Sequence, residues 1–166
     1  ALNAILHVSN SYSGGTVTGT GESSANNSVR LSKLVQGGVA PDILIIWLGV
    51  NDCGGGVSTT NFKASYKTML DKLETMYPEM QIFICNLPLT TLTNVEAGRG
   101  DFNKVIEEIG AEYNIPVIDF SKAWSSETEQ VNNWTYLNDN VHPSALGMNV
   151  ISQLVVKSIK EFYGIE

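Results

Sequence analysis

The chain has 166 residues, 43% of them hydrophobic and 16% charged, which suits one domain with a buried core. A formal net charge of −7 without any cluster of Lys or Arg removes the electrostatic footprint of a nucleic-acid partner. The longest apolar run, residues 43–50, is too short to cross a bilayer, so no membrane span is expected.

Residues 4–8 form a short apolar run ending in Ser9-Asn10-Ser11, a pattern that predicts a strand and then a loop. From 12 to 27 Gly, Ser and Thr dominate with no apolar period, predicting an exposed, irregular loop. Asn27 or Ser28 can cap a short helix whose apolar face is Val29, Leu31, Leu34 and Val35, stopped by Gly37-Gly38. The run 43–48 is apolar on both faces, as a central parallel strand covered by helices requires. Ser58-Thr59-Thr60 offers the cap of a helix over 61–76, in which Phe62, Tyr66, Met69, Leu73 and Met76 recur at helical spacing.

A strand at 81–86 follows, then a loop over 87–100 and a helix from about 101 to 113 with Phe102, Val105, Ile106 and Ile109 inward. Residues 115–120 predict another strand, closed by Asp119. A loop carrying Trp124 and Trp134 leads to Asp139-Asn140-Val141-His142-Pro143. Beyond Ser144 the last helix is expected to bury Met148, Ile151, Leu154, Val155, Ile159 and Phe162. Strands alternating with helices predict an α/β fold, three layers α/β/α around a central parallel sheet. Ligands in such sheets bind beyond the carboxyl ends of the strands, the rim to which these motif segments belong.

Chemistry concentrates in a few residues. Asp139, three positions before His142, can hold the imidazole Nδ1 proton while Nε2 faces a cleft, the orienter and general base of a hydrolytic triad. Asn51 directly follows the apolar strand, where its amide can donate to an oxyanion or simply cap a turn. Gly14, in Ser13-Gly14-Gly15-Thr16, has no Cβ to keep a ligand from its backbone N–H. Asp52 is read as a brace for its loop and His7 as structural. Cys53 and Cys85 are read as two unpaired thiols, with Cys85 a small core residue. No Cys, His and carboxylate set has metal-ligand spacing, so neither metal nor other cofactor is expected.

Three blocks, Ser13-Gly14-Gly15-Thr16, Gly49-Val50-Asn51-Asp52 and Asp139-Asn140-Val141-His142-Pro143, stand in the order found in the GDSL-type, or SGNH, hydrolases, a family of esterases and lipases that the chain resembles. Leu87-Pro88 and Val117-Ile118-Asp119 are similar to it as well. The resemblance implies a flavodoxin-like SGNH-hydrolase fold, with Gly14 and Asn51 as oxyanion-hole donors, His142 as general base and Asp139 as its orienter. It also implies a serine esterase working through an acyl-enzyme on a small-molecule ester, first an acetyl group on carbohydrate, second a lipid ester. Trp124 and Trp134 are the candidates to stack on a sugar or line an acyl pocket, or else fold back onto the core.

The family's first block, Gly-Asp-Ser, has no counterpart here. The expectation is therefore a single SGNH-hydrolase domain over 1–166 that lacks its first strand and helix in this chain, with 4–8 as the family's second strand. The nucleophilic serine is expected upstream of Ala1; Ser9, Ser11 or Ser13 is the alternative. A non-catalytic glycan- or partner-binding domain of the same fold is the alternative function, and a flavodoxin-like phosphate binder, which would leave the Asp/His pair unexplained, comes third. Oligomeric state and cellular location are not legible.

Overall fold

The computed structural model describes residues 5–125 and 135–166. Three parallel strands, β1 (Ile43–Trp47), β2 (Gln81–Cys85) and β3 (Val117–Ile118), lie in the order β1-β2-β3. The register runs from Ile43 opposite Gln81 to Trp47 opposite Cys85, and β3 sets Val117 and Ile118 beside Ile84 and Cys85. Alternation along β2 separates two cores. Ile82 and Ile84 face a cluster with Phe62, Tyr66, Met69 and Leu73 of α3 (Thr59–Met76) and Ile106 and Ile109 of α4 (Thr93–Tyr113). Phe83 and Cys85 face the opposite cluster, with Ile118, Phe120, Trp124, Leu137 and Ile151 and Ile159 of α5 (Ala145–Tyr163). Helices on both faces of a parallel sheet give the three layers that the sequence predicts.

Two short α-helices, α1 (Ser28–Ser32) and α2 (Val50–Gly54), precede α3, and a 3-10 helix, Phe120–Lys122, follows β3. The Asn27 side chain caps α1 by accepting the Val29 and Arg30 N–H groups, and Ser58 and Ser144 cap α3 and α5 in the same way. Of the apolar face expected there, only Val29 and Leu31 fall on α1; Leu31 and, beyond the helix, Leu34 are buried while Val29 and Val35 are exposed. Met148 and Phe162 of α5 are also half exposed, so its buried stripe is narrower than its apolar pattern.

The strand expected over 115–120 is shortened to Val117–Ile118, because the chain turns into a 3-10 helix at Phe120–Lys122, and three larger departures from the sequence pattern stand beside it. Residues 5–8 form no strand, and Ile5 and Leu6 are exposed. An apolar run becomes a strand only beside a ladder partner, and none of the described residues pairs with the edge of β1 opposite β2. Ile45, in the middle of that edge strand, is 40% exposed.

The second departure is α4, which begins at Thr93, eight residues before the sequence suggests. The loop expected over 87–100 includes Gly98 and Gly100, yet both are helical, and a Cβ on Gly98 would lie 2.9 Å from Cys53 Sγ. Gly98 thus lets α4 approach α2 closely. Cys53 Sγ donates to Val95 O at 3.3 Å and Asn94 Nδ2 to Gly54 O at 2.7 Å, binding the first turn of α4 to α2. Third, the loop 12–27 is folded rather than loose. Thr16 bridges Ser24, the Ala25 N–H reaches Thr16 O at 2.7 Å, and Val17, Ser24 and Ala25 are buried. His7 has a structural contact, Nε2 to Val39 O at 3.0 Å, and both cysteines are unpaired and buried.

Candidate active site

The glycine loop and the end of β1 meet at one corner. Gly49, with φ 121°, turns the chain from β1 into α2, a conformation that favours glycine, and Phe62 and Leu87 close around it. Asn51 and Asp52 in α2 both reach back to the loop. Asn51 Nδ2 donates to Gly15 O at 2.9 Å. Asp52 is fully buried and accepts from Val17 N–H and Thr18 N–H, both at 2.9 Å, and from Thr18 Oγ1 at 2.6 Å. Three donors satisfy a carboxylate that burial would otherwise penalise. Asp52 is therefore the brace that its position suggests.

Within the loop the two glycines differ. Gly15 is buried, its N–H is taken by Tyr12 O at 3.0 Å, and a Cβ there would press on Tyr12 O and Ser23 O. Gly14 is exposed with φ +67°, nothing lies within 4 Å of its Cβ position, and its N–H meets no acceptor among the described residues. Of the two, Gly14 is the one that presents an unspent backbone donor to solvent.

The Asp/His segment is a compact turn. Leu137 bridges Pro143, Asn138 N–H reaches His142 O at 2.7 Å and Ser144 N–H reaches Tyr136 O at 2.8 Å. Asp139 Oδ1 accepts the N–H groups of Val141 and His142, and Oδ2 lies 2.6 Å from His142 Nδ1. The His142 N–H, its ring and the Val141 N–H lower the Asp139 carboxyl to about 2. A carboxylate so held orients the imidazole and leaves Nε2 to the solvent side, where 75% of the His142 side chain is exposed.

Bonds through the β2–α4 connection link the two halves of the site. Thr91 N–H donates to Asn140 O at 2.9 Å and Thr91 Oγ1 to Asn140 Oδ1 at 2.9 Å, while α4 is tied to α2 as described. Asn103 of α4 accepts Leu87 N–H at 2.7 Å and donates to Leu87 O at 2.9 Å, fixing the same connection from beneath. Asn86 Nδ2 donates to Asp119 Oδ1 at 2.8 Å, joining the carboxyl ends of β2 and β3. Burial raises the Asp119 carboxyl, but hydrogen bonds from Lys122, Ser121 and Asn86 outweigh it and bring it to about 2. These supporting amides and hydroxyls, Thr91, Asn86 and Asn103, escape a reading of the sequence because their partners lie 16 to 49 residues away.

Trp124 is placed differently from a substrate platform. It is 6% exposed, its Nε1 donates to Leu89 O at 2.9 Å, and it stacks on Tyr136 with centroids 5.6 Å apart and planes 1° from parallel. The ring belongs to the core beneath the Asp/His turn, where stacking and a satisfied indole N–H favour it over solvent. Trp134 lies outside the described residues.

The model of the GDSL-like lipase/acylhydrolase family matches residues 2–150. The cellulase/esterase CelE of Acetivibrio thermocellus is 23% identical over 125 residues, covering 75% of this chain and 15% of CelE. The chain therefore spans about 15% of the length of that curated relative. Among solved structures, a GDSL-like lipase from Bacteroides thetaiotaomicron is 16% identical and superposes with a TM-score of 0.67, covering 90% of this chain and 73% of that one. An acetyl xylan esterase is 18% identical with a TM-score of 0.61, covering 78% of this chain and 69% of its own.

Proposed function

Because the chain belongs to the GDSL-like lipase/acylhydrolase family, we propose that it is the ester-hydrolysing domain of a serine esterase, with His142 as general base and Asp139 as its orienter. The observation that carries this reading is the Nδ1 contact of 2.6 Å to Asp139 Oδ2 on a turn at the carboxyl rim of the sheet. Nε2 then takes the proton of an attacking serine and returns it to the leaving alcohol. Gly14 N–H and the Asn51 amide would receive the oxyanion of the tetrahedral intermediate. Supporting Gly14 over its neighbour is its unspent N–H, since that of Gly15 is bonded to Tyr12 O. Asn51 has one amide hydrogen on Gly15 O and a second left to donate.

The serine itself is proposed to lie upstream of Ala1, at the end of a strand that pairs with the open edge of β1. Support comes from β1, apolar on both faces yet with Ile45 40% exposed and one edge unpaired among the described residues. Acetyl groups on carbohydrate are the proposed substrate class, on the strength of the esterase names among the relatives, CelE and the acetyl xylan esterase.

A fluorophosphonate probe applied to the polypeptide that includes the upstream segment tests the reading. Labelling of one serine ahead of Ala1, together with release of acetate from an acetylated xylan oligosaccharide, is the expected result. Labelling of Ser9, Ser11 or Ser13 would move the nucleophile into this chain, and absence of both labelling and turnover would favour a glycan-binding module.

A further inference from the structure

Arg30, on α1, lies beneath the glycine turn as a buried cation. It is 6% exposed, yet no carboxylate among the described residues pairs with it. Its donors go to carbonyls instead: Nη1 to Ser23 O at 2.5 Å and Nη2 to Asn10 O at 2.9 Å. The guanidinium carbon stands 4.7 Å from the centroid of the Tyr12 ring, and Asn10 Nδ2 returns a bond to Arg30 O at 2.8 Å. Lys33 Nζ holds the far end of the same ring through Tyr12 Oη at 2.9 Å.

These contacts grip the Tyr12-Ser13-Gly14-Gly15 turn on both sides, because Asn10 precedes it and Ser23 lies across from it. A Cβ on Gly15 would be 3.4 Å from Nη1, so the guanidinium packs directly on the backbone of the turn. Burying a charge without a counter-ion carries a desolvation cost that a neutral side chain bonding the same carbonyls would avoid. What a neutral side chain cannot supply is a positive potential, carried here by a guanidinium that is itself 6% exposed and so is weakly screened.

Resting on the reading that Gly14 and Asn51 receive the oxyanion, we propose that Arg30 is the positioning residue of that corner. Through Asn10, Ser23 and Tyr12 it fixes the turn that presents the Gly14 N–H, and its unpaired charge favours the anion that forms there. That anion exists only along the reaction path. The contribution of Arg30 therefore falls on kcat rather than on KM.

The test compares Arg30→Met, Arg30→Lys and His142→Ala in the polypeptide that includes the upstream segment, with p-nitrophenyl acetate as substrate. Arg30→Met is expected to lower kcat about 10-fold or more with KM within about 2-fold, a smaller loss than removal of a direct oxyanion donor. Arg30→Lys keeps the charge but loses the two-carbonyl fork, and is expected between Arg30→Met and the parent. A folded Arg30→Met with parental kcat overturns the proposal, and so does an Arg30→Lys no better than Arg30→Met, which would make the charge idle. Should Arg30→Met fail to fold, Arg30→Lys decides alone: reduced kcat at unchanged KM supports the role, and parental kcat sinks it. Full activity in His142→Ala would instead remove His142 as the general base, whereas no turnover by the parent would remove the esterase reading and the role of Arg30 with it.

Discussion

The Asp139–His142 turn closes over four residues, with three hydrogen bonds to one carboxylate whose side chain is 53% exposed. The corner formed by Gly14, Asn51 and Asp52 joins segments 34 to 36 residues apart through a carboxylate with no exposure at all. Hydrogen bonds in water contribute little to stability, because solvent competes for both partners. Buried ones are costly to break, since the abandoned group finds no water. The proposed general base is thus set on a local device that the fold hardly depends on. The proposed oxyanion donors are set on a long-range device that the fold cannot do without.

His142→Ala offers the largest effect and the cleanest break between activity and stability. In a polypeptide that carries the proposed upstream serine, ester hydrolysis is expected to fall on the order of 10⁴-fold, the scale of losing a triad base. Unfolding free energy should stay within about 0.5 kcal/mol of the parent, as for other exposed positions. Equilibrium urea unfolding beside a turnover assay reads both, and a marked stability loss would mean that the turn is not the independent unit described here.

Asp52→Asn should do the reverse. An amide cannot accept from all three donors at once, and an unsatisfied buried N–H costs about 1–3 kcal/mol. The expected outcome is a lower urea midpoint at unchanged m-value, accompanied by lost activity as the Gly14–Thr18 segment shifts. Parental stability in this variant would show that the glycine loop is held by something other than Asp52.

The same contrast explains what was legible in the sequence. The Asp/His pair, the capping residues Asn27 and Ser58, and most of the inward face of α3 depend on neighbours within a few positions, and spacing alone exposes them. The early start of α4 was hidden because Gly98 signals a break locally, while its actual task is to admit Cys53 from another helix. Residues 5–8 carry a strand pattern but have no ladder partner among the described residues, so the pattern goes unrealised. For Trp124 composition could not choose between a cleft and the core; Tyr136 and the Leu89 carbonyl put it in the core. Arg30 gave no signal, since its partners are backbone carbonyls that no residue identity announces.

Gly147 allows the comparison to be sharpened, because it is where the local turn meets the rest of the molecule. It is buried in the first turn of α5, and a Cβ there would run into the Tyr136 carbonyl oxygen, a backbone atom that cannot swing aside. Gly147→Ala is therefore expected to cost about 1–3 kcal/mol despite alanine's better helix propensity. Since Ser144 N–H bonds the same carbonyl, the turn should shift with it. A gain in stability, measured by urea unfolding, would show that α5 and the turn dock more loosely than this contact implies.

The smallest effect concerns acid. Asp139 has a folded-state pKa lowered to about 2, against about 4 for an unfolded aspartate. A depressed carboxyl contributes stability that is fully present above the unfolded value and is lost as pH falls through the folded one. The contribution of Asp139 should accordingly be constant from neutrality down to about pH 4 and disappear between about pH 4 and 2. Because the group is exposed and screened by solvent, the loss should be slight. Asp139→Asn, compared with the parent by thermal unfolding across that range, isolates it: the two curves should converge below about pH 2, where the parent carboxyl is also neutral. A gap that persists well below pH 2 would mean that the carboxyl's shape and hydrogen bonds, rather than its charge, support the turn.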